Sequence, residues 1–272
     1  MLFASPEGPV ELRPGEPGIG VSGLRPIYRG GYKSKLLINS MTSDPLSDAL
    51  KRGLHFHKLC ELDQALNWYR AAMAISPDDA EVNSLLGLAL AHAGRAEEGT
   101  AFLLRAVELE PGQLPFRFNL VHGLLQARAY DRAMAEMSII LTREPTNSLG
   151  WDLAGDIARA QGDAAGARAA WNRARQADPT ATASVLKLAR LEIEQSHFDA
   201  ALALLDPIAT VATANEQVYD LWCQALTGLG DWGALRATAA SWVGGHPESA
   251  PARRCLERAE FELAQRVRPT GD

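Results

Sequence analysis

Two clusters in this sequence hold residue types that could do chemistry. His55, His57 and Cys60 form an H-x-H-x2-C group, the nearest approach to a metal site, because imidazole and thiolate are common zinc ligands. On one helix, however, residues two apart point about 200° from each other. His55 and His57 therefore cannot aim at one ion, and the expectation is surface or groove histidines beside a buried cysteine. Asp152 and Asp156 lie one helical turn apart, a spacing that could serve a general acid and base. The expectation for them is a partner-facing acidic patch. No phosphate-cradling G-x4-G-K-[ST] loop, dinucleotide G-x-G-x2-G, zinc-binding H-E-x2-H or nucleophile-bearing G-x-S-x-G occurs in the chain. Neither a cofactor nor a metal is expected, and the chain does not read as an enzyme.

The elements that must position these residues repeat. Pro77, Pro111, Pro145 and Pro179 are spaced 34, 34 and 34 residues apart. With each proline near the end of a unit, the units run 46–79, 80–113, 114–147 and 148–181. Gly53, Gly87 and Gly155 then share one position. Ala65, Gly99, Ala133 and Ala167 share a second, and Tyr69, Leu103, Met137 and Trp171 a third. These positions fall on one face of each of two successive helices. Small residues let the paired backbones approach, large ones fill between them, and proline stops the second helix. Phe198-Asp199-Ala200-Ala201-Leu202 echoes Tyr130-Asp131-Arg132-Ala133-Met134 and predicts a fifth unit at about 182–214, with Pro207 kinking or ending its second helix. A sixth, at about 215–248, places Leu221, Ala225 and Ala234 in register, with Pro247 one residue late. Ala252, Leu256, Ala259, Leu263 and Val267 predict a capping helix over 250–267.

This pattern resembles the tetratricopeptide-repeat family, whose signature is W-x2-L-G-x2-Y, then A-x3-F, then P, over 34 residues. Trp151, Gly155, Ala167 and Pro179 of the fourth unit carry it. The resemblance implies an all-α fold, a right-handed superhelical solenoid of helix-turn-helix repeats closed by a C-terminal capping helix. It also implies that first helices line a concave groove. Carried over residue by residue, the groove takes Phe118, His122 and Gln126 with Asn119 beside them, then Asp152, Asp156 and Arg159. Leu186 and Arg190 follow, with Lys187 at the edge, and then Tyr219 and Cys223. Leu50, Leu54, Ser84 and Leu88 make its more apolar end. Family members that clamp a C-terminal carboxylate use Lys and Asn where this chain has Leu50 and Leu54, so that clamp is absent. The implied function is a protein-binding scaffold or adaptor holding a peptide or helix in the groove. The alternatives are an oligomeric structural component and a regulatory subunit of a larger enzyme or secretion assembly.

Composition narrows the partners. Of 272 residues 47% are apolar and 22% charged, and 33 acids against 27 bases give a net charge of −6. A phosphate-binding surface needs clustered bases, so nucleic acid is not expected. No run approaches the roughly 18 consecutive apolar residues of a membrane helix. Three widely spaced cysteines form no disulfide framework and fit a reducing compartment, so the expected address is the cytoplasm. Residues 1–45 read as a flexible arm rich in glycine and proline. One reading starts the protein at Met41. The other makes the arm functional through Arg25, Arg29, Lys33 and Lys35, interleaved with Tyr28 and Tyr32. Phe261 falls about 160° from the capping stripe at Leu263 and is expected at an exposed end-face interface, where aromatic residues and arginine are enriched.

Overall fold

The protein is described by a computed structural model over residues 44–209 and 215–267, and every regular element among them is an α-helix. Six helical hairpins follow one another: α1 (Pro45–Lys58) with α2 (Leu62–Ile75), α3 (Ala80–His92) with α4 (Ala96–Leu109), α5 (Leu114–Gln126) with α6 (Tyr130–Arg143), α7 (Ser148–Ala160) with α8 (Ala164–Ala177), α9 (Thr182–Glu194) with α10 (Phe198–Ala209), and α11 (Glu216–Leu229) with α12 (Trp232–Gly245). A last helix, α13 (Ala250–Val267), packs on α12. Each first helix also packs on the second helix of the preceding hairpin. That sequential stacking is a solenoid, whose core is a continuous stripe of small clusters rather than one centre. The arm lies outside the described residues up to position 43, and Pro45 is already the first residue of α1.

Local chemistry explains the boundaries. Asp44 caps α1 ahead of Pro45, and the Asp79, Asn147 and Asn215 side chains cap α3, α7 and α11. Within each hairpin the turn carries one residue with positive φ: Cys60, Gly94, Arg128, Gly162, Ser196 and Gly230. These fall every 34 residues. At Gly94, Gly162 and Gly230 the left-handed conformation is inexpensive, whereas Cys60, Arg128 and Ser196 hold it at a cost of roughly 1 kcal/mol each. At the hairpin crossings glycine is required by space. A Cβ on Gly53 would come within 2.5 Å of the Tyr69 ring, and one on Gly155 would enter the Trp171 indole.

The turn register corrects the sixth unit. Its turn residue, Gly230, lies 34 after Ser196, and the buried face of α12 is Leu235, Ala239 and Trp242, with Ala234 only half-buried. The unit therefore begins at 216 and Pro247 is in strict register, not one residue late. The missing proline of the fifth unit had hidden this. Pro207 neither stops α10 nor stands at its end; the helix runs through it to Ala209. In α13, Ala252 and Ala259 are fully buried, Leu256 and Leu263 half-buried, and Phe261 is 61% exposed. The Val267 side chain lies outside the description.

Candidate functional site

The first helices carry the candidate side chains, and their geometry makes a ladder. Among the described residues four hydrogen bonds join one first helix to the next between residues 35 apart, one repeat plus one position: His57 Nε2 with His92 Nδ1 at 2.8 Å, Asn119 to Ser84 Oγ at 2.8 Å, Lys187 Nζ to Asp152 Oδ2 at 2.6 Å, and Arg159 to Glu194 at 2.6 Å. Only two kinds of slot are used, one near the start of the helix and one near its end. Each slot occurs once in the N-terminal half and once in the C-terminal half. Between α5 and α7 the first slot holds Phe118 and Leu153, both in one apolar cluster.

In the N-terminal half the ladder is neutral. His57 is buried, with its Nδ1 3.4 Å from the Tyr69 hydroxyl. Burial, helped by His92, pulls its pKa down to about 4. Burial likewise lowers His92, and His122 falls to about 4 through burial first and His92 second. An imidazole cut off from water disfavours its charged form. The three form a row of neutral rings along α1, α3 and α5, each on a different first helix.

In the C-terminal half the ladder is ionic. Lys187 reaches from α9 between Asp152 and Asp156, 2.6 and 2.7 Å away, and Ser184 donates to Asp152 at 2.7 Å. Burial raises the Asp156 pKa while Lys187 opposes it. Behind this wall Glu192 is almost buried. It accepts two bonds from Arg168, at 2.6 and 3.0 Å, and one from His197 at 2.9 Å. The Arg168 contact is the main cause holding the Glu192 carboxyl below its usual range.

These contacts place the residues expected from sequence. Asp152 and Asp156 are brought together on Lys187, whose one positive charge balances one of their two. Asn119 is tied to Ser84, and Arg159 to Glu194. Arg190 is exposed on α9, and among the described residues it makes no ion pair. Phe118, His122, Gln126 and Leu186 are half-buried. Leu50, Ser84 and Leu88 are buried in helix packing and offer no surface, which leaves Leu54 half-buried at that end. Tyr219 turns to its own hairpin, stacking on Trp242 at 5.9 Å, and Cys223 is 1% exposed. The one-residue shift of the sixth unit moves both out of the groove positions. Cys60 is exposed, not buried, because it occupies the turn rather than the helix. Among the described residues no three His, Cys, Asp or Glu side chains are placed to hold a metal ion. None of the described helices is long and apolar enough to cross a membrane.

Sequence reasoning missed His92, Glu194 and Glu192. The signal for the first two was present: complementary residues 35 apart, Asp152 to Lys187 and Arg159 to Glu194, repeat the spacing of His57 to His92. The Glu192 site gives no such signal, because Arg168 comes from a second helix at no repeating distance.

With this geometry established, the comparisons with known proteins fall into line. A family model described as TPR repeat matches residues 53–94. A peroxisomal targeting signal receptor of Eremothecium gossypii is 30% identical over 90 residues, covering 33% of this chain and 16% of the receptor. A TPR repeat-containing protein of Pseudomonas aeruginosa is 40% identical over 57 residues, or 21% of this chain and 54% of that one. The chain thus spans only a small part of the receptor's length. Among solved structures, Pseudomonas aeruginosa pilF superposes with a TM-score of 0.61 at 15% identity, covering 79% of this chain and 97% of pilF. A tetratricopeptide repeat protein of Parabacteroides merdae gives 0.61 at 14%, covering 82% and 87%. These two likenesses are of fold.

Proposed function

We propose that this chain, a stack of tetratricopeptide repeats, is a non-catalytic scaffold or adaptor whose first-helix face holds an extended peptide or a helix of a partner protein. The observation that carries the reading is the ladder. The groups best able to do acid–base chemistry, Asp152, Asp156 and Lys187, are bonded to one another and brace the wall in a fixed shape. A pre-organised wall lowers the ordering cost of binding. The positions left to meet a partner are Phe118 and His122 at the neutral end and Arg190 with the Arg159–Glu194 pair at the charged end. Asn119, Asp152, Asp156 and Lys187 hold the helices that present them. A surface apolar at one end and charged at the other suits an amphipathic segment. The relatives named targeting signal receptors are in keeping with a peptide-binding role. Three free thiols suit the cytoplasm as its place of work.

A second reading rests on α13. Phe261 is 61% exposed on the terminal helix, with Arg254 and Arg258 exposed near it, which suits end-on assembly with another subunit or copy. Capture of partners by the full chain, followed by mass spectrometry, separates the two. Arg190→Glu should abolish the specific partner, while Arg132→Glu, on the exposed side of α6, keeps it. Loss on Phe261→Ser with retention on Arg190→Glu would shift the site to the end face.

A further inference from the structure

Cys223 on α11 and Cys255 on α13 are 32 residues apart, the same separation that lets Ser184 bond Asp152 across α7 and α9. Both positions fall where α13 packs on α12 and meets α11, and the two thiols perturb each other's ionisation. Both belong to the cluster that seats α13, with Leu226, Trp242, Ala252 and Ala259 around them. Their surroundings differ. Cys223 is 1% exposed, whereas Cys255 is half-buried. The neighbouring Cys223 thiol is the largest cause pulling the Cys255 thiol down to about 7; burial and Asp220 oppose it, and Arg254 and Arg258 assist. Cys223 is pushed up by Cys255 first and by burial second. A reachable thiolate beside a protected thiol is the arrangement of an attacking and a resolving cysteine.

We propose that Cys223 and Cys255 are a reversible dithiol–disulfide site, oxidised by hydrogen peroxide, that fastens α13 to α11. The Cys255 thiolate attacks one peroxide oxygen and the O–O bond breaks. The departing hydroxide takes a proton and leaves as water. Cys223 sulfur then attacks the sulfenic sulfur, and its proton leaves with the hydroxyl as a second water. Two thiols lose two electrons and one peroxide becomes two waters. Among the described residues α13 packs on α12 and touches α11 and no other element as closely, so it has few neighbours to hold it shut. A bond closing a loop of this length restrains that opening.

The test uses the full chain carrying Cys60→Ser, so that Cys223 and Cys255 are the only thiols. Hydrogen peroxide at stoichiometric ratio is followed by alkylation in denaturant, intact mass and peptide mapping without reduction. The expected results are a loss of about 2 Da, a linked Cys223–Cys255 peptide, and amide exchange in α13 slowed about tenfold, all reversed by dithiothreitol. Cys255→Ser should lose the link and the slowing yet exchange like the reduced protein before oxidation. A gain of about 16 or 32 Da at Cys255 with Cys223 still alkylated, disulfide-linked dimers without the internal link, or two alkylated thiols after peroxide would each overturn the proposal.

Discussion

The two halves of the first-helix face use the same slots for opposite chemistry. Around α1, α3 and α5 the rungs are His57–His92 and Ser84–Asn119, neutral and largely withdrawn from water. Around α7 and α9 the same slots hold Asp152–Lys187 and Arg159–Glu194, both ionic. The solenoid fixes where a rung falls, since neighbouring first helices keep a constant offset, and leaves its chemistry free. The halves should therefore fail under different stresses, the neutral one in acid and the ionic one when a charge is removed or screened.

The largest effect is expected at the most buried charge. Arg168→Met leaves the Glu192 carboxylate facing only His197 and should destabilise the fold by about 3 kcal/mol, because an unpaired buried charge costs more than the pair contributes. Chemical denaturation checks it, and an unchanged midpoint would mean that Glu192 finds water instead.

Acid should separate the halves next. His57 and His122 titrate near 4 when folded and near 6.5 when unfolded. As pH falls below 6.5 the unfolded chain takes up protons that the folded chain refuses, so stability declines until both states are protonated near 4. The slope reaches at most about 1.4 kcal/mol per pH unit for each histidine. Between pH 6.5 and 5 most carboxylates stay charged, so amide protection should weaken in α1, α3 and α5 while α7 and α9 hold. Equal weakening in both halves would contradict the neutral assignment.

The smallest effect belongs to the exposed rung. Arg159 and Glu194 are 40% and 45% exposed, so a double-mutant cycle should return about 0.5 kcal/mol, vanishing in molar salt. A coupling that survives salt would place this pair in a drier groove than its exposure indicates.

The fold was legible in the sequence because four prolines and three glycines repeat at one period, and repetition survives when any single propensity misleads. It blurred where the fifth unit lacks its closing proline, and the one-residue error there sent Tyr219 and Cys223 to the wrong face. The site was legible as a surface but not as a network. Asp152 and Asp156 were visible as neighbours on one helix, while the lysine between them comes from the next repeat. His57 looked like half of a metal motif because its sequence neighbour, His55, is a histidine too. Its real neighbour, His92, lies 35 residues on.

The central claim is that partners bind the first-helix face. Amide hydrogen exchange of the full chain, with and without its captured partner, measures this directly. The account predicts new protection in α5, α7 and α9, centred on the turns of helix bearing His122, Arg159 and Arg190, with α6 and α8 unchanged. Protection confined to α6 and α8, or to α13 around Phe261, would contradict it.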